Sequence, residues 1–509
     1  MMHVRRKRTS DGGFRAEWKG IGEMHTAAPA VRWRDLIGQP GRASAAGLAG
    51  LAALAIWIGG APLAWALALP AVMALALAVA VRPVAGLAAL ALLIPFGNAI
   101  PLSVAGANSV DLLTLATVAG WSARQIARRE IIFRPPPLTG RLAALVWLCA
   151  LSLTQAFSWR EGLPELLKWA EFAVLYLAAT QILEDKRALR WMIGALILAG
   201  LLQVALGGYQ FWTQSGPPAF ALPSGRMRAY GTFRQPNPYA GYLGYLAPVA
   251  ASLALARLWR WLAHRNRRDL IAGLASGGSA LLLAAGIGMS WSRGGWIALA
   301  AALAVIGALR SRHTALLALV IGVLLAGAIG LGGVGWLPGP IAGRLQDLGS
   351  YLGGPDPART EVTDENFAVL ERLAHWQAGL DMFADHPWLG VGIGNYGAVY
   401  DDYAPPHWYE PLGHAHNIFI NFLAETGVAG TAAFVLVWLG AWRLSWRTAR
   451  RSAKSGAAFA PALAIGVLGV LTYLTVHGLF DNLFVQHMQL QLALLLACVA
   501  IIHRNGAIS

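Results

Sequence analysis

FAPALAIGVLGVLTYLTVHG (Phe459–Gly478) contains no Asp, Glu, Lys or Arg and reaches its one histidine only at His477. As a helix, a stretch of this length spans about 30 Å, the thickness of a bilayer's hydrocarbon core. Comparable apolar stretches recur from Ala43 to the C-terminus, separated by short polar or basic pieces. The chain of 509 residues is 57% hydrophobic and 13% charged, about half the charged fraction of a soluble protein. In lipid each backbone group must be satisfied within its own segment. The predicted fold is therefore all-α, a polytopic membrane helix bundle of about 12–14 transmembrane helices with one long extracytoplasmic loop containing an amphipathic helix.

Fourteen spans are expected, at roughly 44–60, 62–81, 83–100, 109–127, 141–157, 165–183, 190–211, 236–256, 269–289, 294–309, 314–334, 417–442, 459–478 and 482–502. The first pair could instead be a re-entrant turn near Pro62. Four parts follow: a basic N-terminal tail (1–42), a first part of the bundle (43–334), a loop subdomain (335–416) and a last part of the bundle (417–509). The tail has no apolar stretch of signal-peptide type and reads as cytoplasmic.

The net charge of +15 does not point to nucleic acid. Basic residues cluster between spans, as in RQIARREIIFRPPPLTGR (Arg124–Arg141), RLWRWLAHRNRR (Arg257–Arg268) and RLSWRTARRSAK (Arg443–Lys454). With fourteen spans these clusters all fall on the side of the N-terminus, which the positive-inside rule makes the cytoplasm. Both termini are then cytoplasmic. Cys149 and Cys498 lie in apolar runs and read as packing residues, with no CxxC zinc pattern.

The expected extracytoplasmic loops hold most of the unusual chemistry. Arg226, Arg228 and Arg234 flank RMRAYGTFRQPNPYAGY, and Arg293 sits in SWSRGGW. The loop from about Gly335 to His416 contains ENFAVLERLAHWQAGLDMFADHP. There Phe367, Leu370, Leu373, Trp376, Leu380 and Phe383 mark an amphipathic helix that ends at Pro387 and lies against the bundle. Arg372 lies on that helix. PLGHAHNIFINFLAETG (Pro411–Gly427) sets His414 and His416 before the twelfth span, with Asn417, Asn421 and Glu425 at four-residue spacing behind them. His477 and Asp481 close the thirteenth.

Each feature has a plainer alternative. Arg293 could snorkel to the headgroups, but Gly294 and Gly295 allow another group close to the backbone. Arginines converging from separate segments would hold a phosphate or pyrophosphate through charge-assisted hydrogen bonds. An unperturbed imidazole titrates near pH 6.5 and can be neutral at working pH, which makes His416 the candidate base. Glu425 could pair with an arginine and keep helices in register. His-x-His could bind a metal, although no acidic triplet or HExxH accompanies it; no metal and no other cofactor is expected. GVGIGNYG (Gly390–Gly397) reads as a tight turn rather than a nucleotide loop. Asp401–Asp402 and YAPPHWYEP could form a sugar-binding rim or ordinary loop packing.

Outside the cytoplasm a transferase must use a donor that is already activated, and a polyprenyl-pyrophosphate glycan is one. The chain resembles the O-antigen ligase and O-antigen polymerase superfamily of bacterial envelope glycosyltransferases. The resemblance rests on four blocks: RAYGTFRQPNPYAGYL (Arg228–Leu243), SWSRGGW (Ser290–Trp296), RLAHWQAGLDMFADHPWLGVGIGNYG (Arg372–Gly397) and HAHNIFINFLAETGVAG (His414–Gly430). It implies metal-independent, inverting transfer at the outer face of the bacterial inner membrane. It makes His416 the base and Arg293 with Arg228 or Arg234 the pyrophosphate ligands, with Arg372 a further donor contact or a loop anchor. Fourteen spans exceed the twelve typical of the ligases. The acceptor could be a lipid A–core sugar, a second lipid-linked glycan or a protein Ser/Thr hydroxyl; the ligase type is favoured. A transporter or flippase of lipid-linked sugars is the alternative from another class.

Overall fold

The computed structural model describes residues 81–100, 103–104, 107–129, 133–222, 225–316, 354–363, 366–455 and 458–506, with short pieces at 6–8, 14–16, 77–79 and 320. Two compact units divide at Ala74/Leu75. The first contributes an antiparallel pair, β1 (Arg6–Arg8) and β2 (Phe14–Ala16), with Lys7 opposite Arg15.

The second unit is helical apart from a two-residue hairpin, β3 (Ser103–Val104) with β4 (Ala107–Asn108). Its helices are α1 (Pro83–Leu93), α2 (Ser109–Ala127), α3 (Thr139–Ser152), α4 (Trp159–Ile182), α5 (Lys186–Thr213), α6 (Pro236–Gly244), α7 (Ala247–His264), α8 (Arg267–Met289), α9 (Arg293–Arg310), α10 (Phe367–Asp385), α11 (Tyr400–Tyr403), α12 (Ile418–Ser452), α13 (Phe459–His477) and α14 (Met488–Asn505). Among the described residues seven spans are long and apolar enough to cross a membrane: α5, α6 with α7, α8, α9, α12, α13 and α14. The protein is an all-helical, multi-pass membrane bundle. The expected span at 44–60, and most of those at 62–81 and 314–334, lie outside the described residues.

Several boundaries differ from the expected ones. The helix expected from 83 to 100 ends at Leu93 and continues as a 3-10 turn, Ile94–Ala99, where Pro95 cannot donate to the helical ladder. The last span starts at Met488 rather than 482, because residues 479–487 form an irregular turn after His477.

α13 lies among α7, α9 and α12. It is buried almost all round, as befits a helix with no polar face. Between lipid-bathed helices close van der Waals contact replaces hydrophobic drive. The ring of Tyr473 rests directly on Gly244, where a Cβ would overlap it. Tyr473 Oη donates to the Ala240 carbonyl at 2.8 Å.

α12 is broken at Gly427 (φ 58°, ψ −161°). The loop after α10 fills the break: Val391 N–H donates to Ala424 O (2.9 Å) and Val428 N–H to Pro387 O (2.8 Å). A Cβ on Gly427 would lie 2.4 Å from the Trp388 carbonyl carbon. Irregular backbone at this depth persists because protein groups satisfy it.

α10 forms where the spacing predicts a helix, but it buries a different face. Leu370, Ala374, His375, Ala378, Gly379 and Met382 are buried, whereas Phe367 and Leu380 are 47% and 46% exposed. The small residues bring α10 close to α12: a Cβ on Gly379 would lie 2.7 Å from Ile420 Cγ2. Phe367 and Leu380 are left on the outer side.

Candidate functional site

Two buried glutamines of α5, seven residues apart, fold the turn that carries Arg228. Gln210 Oε1 accepts from Tyr230 N–H (3.1 Å) and Gly231 N–H (2.7 Å), and its amide donates to Gly231 O (2.8 Å). Gln203 Oε1 accepts from Thr232 N–H at 3.1 Å. Gly231 has φ +55°, a conformation that glycine adopts without strain. The turn is tied to the end of α8 by Ala229 N–H to Met289 O (2.9 Å). Arg228 itself donates from Nε to Ser290 O (2.9 Å) and from Nη2 to Asn237 Oδ1 (3.4 Å).

Arg293 is the first residue of α9, whose N-cap Ser292 accepts from Gly295 N–H (3.3 Å). Gly294 admits His477, whose Cδ2 would lie 2.8 Å from an added Cβ; His477 Nε2 is 3.3 Å from Ser292 Oγ. Arg372 comes from α10, its Nε donating to Phe480 O (3.2 Å) and Nη1 to Ala368 O (2.6 Å).

These three arginines, far apart in the chain, line one cavity of about 90 Å³ together with Asn237, His477 and Phe480. Arg234 does not line it: its backbone is left-handed (φ +60°) and the residue is exposed. Arg226 is taken up by the rings of Phe211 and Trp212, 5.3 and 4.7 Å from its guanidinium carbon.

His416 stands at the other side of the Gly478–Asn482 turn. Its backbone is left-handed (φ +48°), and its ring meets those of His414 (4.4 Å) and His375 (5.5 Å) edge-on. Nδ1 lies 3.5 Å from Asp481 Oδ1, an ion-pair contact rather than a hydrogen bond, and neither ring nitrogen has a hydrogen-bond partner among the described residues. Burial of Asp481 opposes its ionisation. The contact with His416 and the positive charge of His414 and Arg372 outweigh this and hold its carboxyl well below the usual range. Burial, helped by the charge of His416, pushes His414 down to about 4 and His375 to about 3. The His375 ring stacks on Tyr400 at 4.6 Å.

The polar stripe behind His416 positions it. Asn417 caps α12, accepting from Phe419 N–H (3.0 Å) and Ile420 N–H (3.2 Å), and its amide donates to Leu479 O (3.2 Å). Asn421 Oδ1 accepts from Ala415 N–H (3.1 Å). The register reading of Glu425 is corrected: rather than an arginine, it meets loop backbone, accepting from Tyr396 N–H at 3.4 Å.

That loop is the glycine-rich run. Gly390, Gly392 and Gly394 have φ of +67°, +96° and +74°, and a Cβ on Gly392 would lie 2.7 Å from Ala156 Cα. Its glycines allow close backbone approach to α12 and to the start of α4. Beside His375 lies a second cavity of about 430 Å³, lined among others by Phe367, Glu371, Trp408, Tyr409 and Glu410. Trp408 is itself buried, its Nε1 donating to Pro357 O (3.0 Å), while Tyr409 is exposed.

Among the described residues, two trios have ligand atoms within 4.8 Å of one another and could hold a cation: His414, His416 and Asp481, and separately Asp111, Glu171 and His487. Sequence reasoning did not single out Gln203, Gln210, His375 or Asn237. The glutamines had a usable signal, since polar residues in an apolar span are costly without a partner.

Residues 278–435 match the family model described as O-Antigen ligase. That segment contains Arg293, Arg372, His414 and His416, whereas Arg228 lies outside it. The match is in keeping with membrane glycosyl transfer of the ligase or polymerase type. No curated protein matches the chain.

Proposed function

We propose that this protein is an O-antigen ligase-like glycosyltransferase of the bacterial inner membrane. In this reading both termini are cytoplasmic, the catalytic site faces outward, and residues 335–416 form the outer subdomain. It moves a glycan from polyprenyl pyrophosphate to an acceptor hydroxyl, with inversion and without a metal. The observation that carries this reading is the convergence of Arg228, Arg293 and Arg372 on one small cavity.

Three guanidiniums there suit a pyrophosphate, and they would stabilise the charge that grows on it as the anomeric C–O bond breaks. The acceptor oxygen forms the new bond to the anomeric carbon from the opposite side. His416 takes the hydroxyl proton at Nε2, and Asp481 at Nδ1 fixes the ring and stabilises the imidazolium that results. The acceptor glycan is assigned to the cavity beside His375, where Trp408 and Tyr409 offer ring edges and faces and Glu371 and Glu410 offer hydrogen-bond acceptors.

The test is transfer by purified protein in detergent from a polyprenyl-pyrophosphate glycan. Lipid A–core, a second lipid-linked glycan and a Ser/Thr peptide are offered in parallel, with EDTA throughout. Transfer that persists in EDTA and collapses in His416→Ala and Arg293→Ala is expected, and the productive acceptor separates ligase, polymerase and protein glycosylation. Loss of transfer in EDTA, restored by a divalent cation, would replace the base with a metal held by His414, His416 and Asp481. Relocation of the intact donor across the bilayer without release of polyprenyl pyrophosphate would favour a flippase.

A further inference from the structure

The end of the bundle away from the arginine trio carries a second strongly basic cavity. α4 begins beside the catalytic side, where Ser158 N–H donates to Asn395 Oδ1 (2.6 Å). Its 24 residues then run to Ile182, a length of about 36 Å. α14 starts after the Asp481 turn and runs 18 residues to Asn505, about 27 Å. Both helices end at a cavity of about 550 Å³ lined by Arg82, Arg124, Arg128, Arg134 and Arg504, with Glu184 the one carboxylate in its lining. Helices of these lengths cross a hydrocarbon core, so the cavity at their far ends lies at the level of the headgroups opposite the Asn395 loop and the Asp481 turn.

Ordinary topology accounts for part of this. Arg124 and Arg504 sit in the last turns of α2 and α14, where a cation meets the negative end of the helix dipole. It does not account for five arginines from four parts of the chain around one concavity. Arg134 in particular is held from both sides of its backbone: its N–H donates to Gln181 Oε1 (3.2 Å), and Gln181 Nε2 donates to its carbonyl (3.0 Å). Arg124 is likewise anchored, donating to the Val81 carbonyl. Trp121, at the same rim, is the kind of side chain that settles at the membrane interface. Guanidiniums gathered around one recess repel one another, an anion among them offsets that repulsion, and phosphate oxygens match their geometry.

We propose that this cavity binds the phosphate of an anionic phospholipid headgroup from the leaflet opposite the transfer site. The volume admits a whole headgroup rather than a bare ion, and basic recesses between membrane helices recognise such lipids. The site is independent of the transfer reaction and stands or falls separately from it.

The full chain is reconstituted in nanodiscs of phosphatidylcholine alone or with phosphatidylglycerol or cardiolipin, and lipids retained after release are counted by native mass spectrometry. Retention of anionic lipid over phosphatidylcholine is expected, with a loss of about tenfold or more in Arg124→Gln/Arg128→Gln/Arg134→Gln. A charge-matched control, Arg267→Gln/Arg268→Gln/Arg447→Gln, removes three exposed arginines that do not line the cavity and should retain the lipid. Equal loss in both triple variants would overturn the site in favour of general surface charge. To guard against misfolding, the unaltered protein is also melted in phosphatidylcholine nanodiscs with graded phosphatidylglycerol. A salt-sensitive rise in the midpoint is expected, and no rise would overturn the proposal. Stabilisation by inorganic phosphate or pyrophosphate without any by lipid would reassign the cavity to a soluble anion.

Discussion

Asp481 Oδ1 lies 3.5 Å from Nδ1 of His416, and the residue before Asp481, Phe480, supplies the carbonyl that holds Arg372 Nε. One short turn between α13 and α14 therefore touches both the candidate base and one arginine of the trio. Asp481→Asn keeps the shape and removes the charge. It should lower kcat between tenfold and about 10²-fold, less than the 10²–10⁴-fold expected for His416→Ala, with little change in KM for the donor. An unchanged kcat would remove Asp481 from the mechanism.

Arg228 and Arg234 are separated by one turn of chain and differ in what they reach. Arg228→Ala should raise donor KM and lower kcat together by about tenfold or more. Arg234→Ala should stay within about threefold of the unaltered protein. Arg293→Lys should recover little of the loss in Arg293→Ala, because an ammonium cannot reproduce the planar fork on a pyrophosphate. The reverse order for Arg228 and Arg234 would move the donor site.

Gly427→Ala places a Cβ against the Trp388 carbonyl in a backbone conformation that other residues rarely adopt. The conformation alone costs about 1–3 kcal/mol, and the overlap adds to it. Thermal melting in detergent should show a clear drop. Gly413→Ala, also at positive φ (+82°) but with open space around the added Cβ, should cost less.

His375 and His414 bind protons less readily in the folded protein than an ordinary histidine does. The unfolded chain, with histidines near 6.5, then takes up more protons as the pH falls. Their contribution to stability is complete above about pH 6.5 and declines as pH falls towards 4. Melting midpoints should fall from pH 7.5 to pH 5, and the fall should shrink in His375→Gln. An unchanged pH dependence in His375→Gln would contradict the burial of this ring.

The amphipathic pattern at Phe367–Asp385 shows how far periodicity reaches. It locates the helix, because apolar residues at three- and four-residue spacing share a face. It misjudges the buried side, because in a lipid-facing protein both sides tolerate apolar groups and close approach is decided by small residues such as Ala378 and Gly379. The polar stripe Asn417, Asn421 and Glu425 was visible as a stripe. Its use as a cap and as anchors for two loop backbones depends on chain segments that the local sequence does not name.

By itself the sequence determined that the protein is a multi-pass helical bundle. Apolar runs of about twenty residues have no other way to satisfy their backbones in lipid. Its four motif blocks also carried the resemblance to the ligase superfamily that the match over residues 278–435 supports. Only the tertiary structure decided which cations meet. Arg228, Arg293 and Arg372 come from three separate segments, and Arg234, exposed at a left-handed backbone position, does not line their cavity. Convergence of that kind is set by long-range packing of α9, α10 and α13, for which a linear sequence carries no local signal.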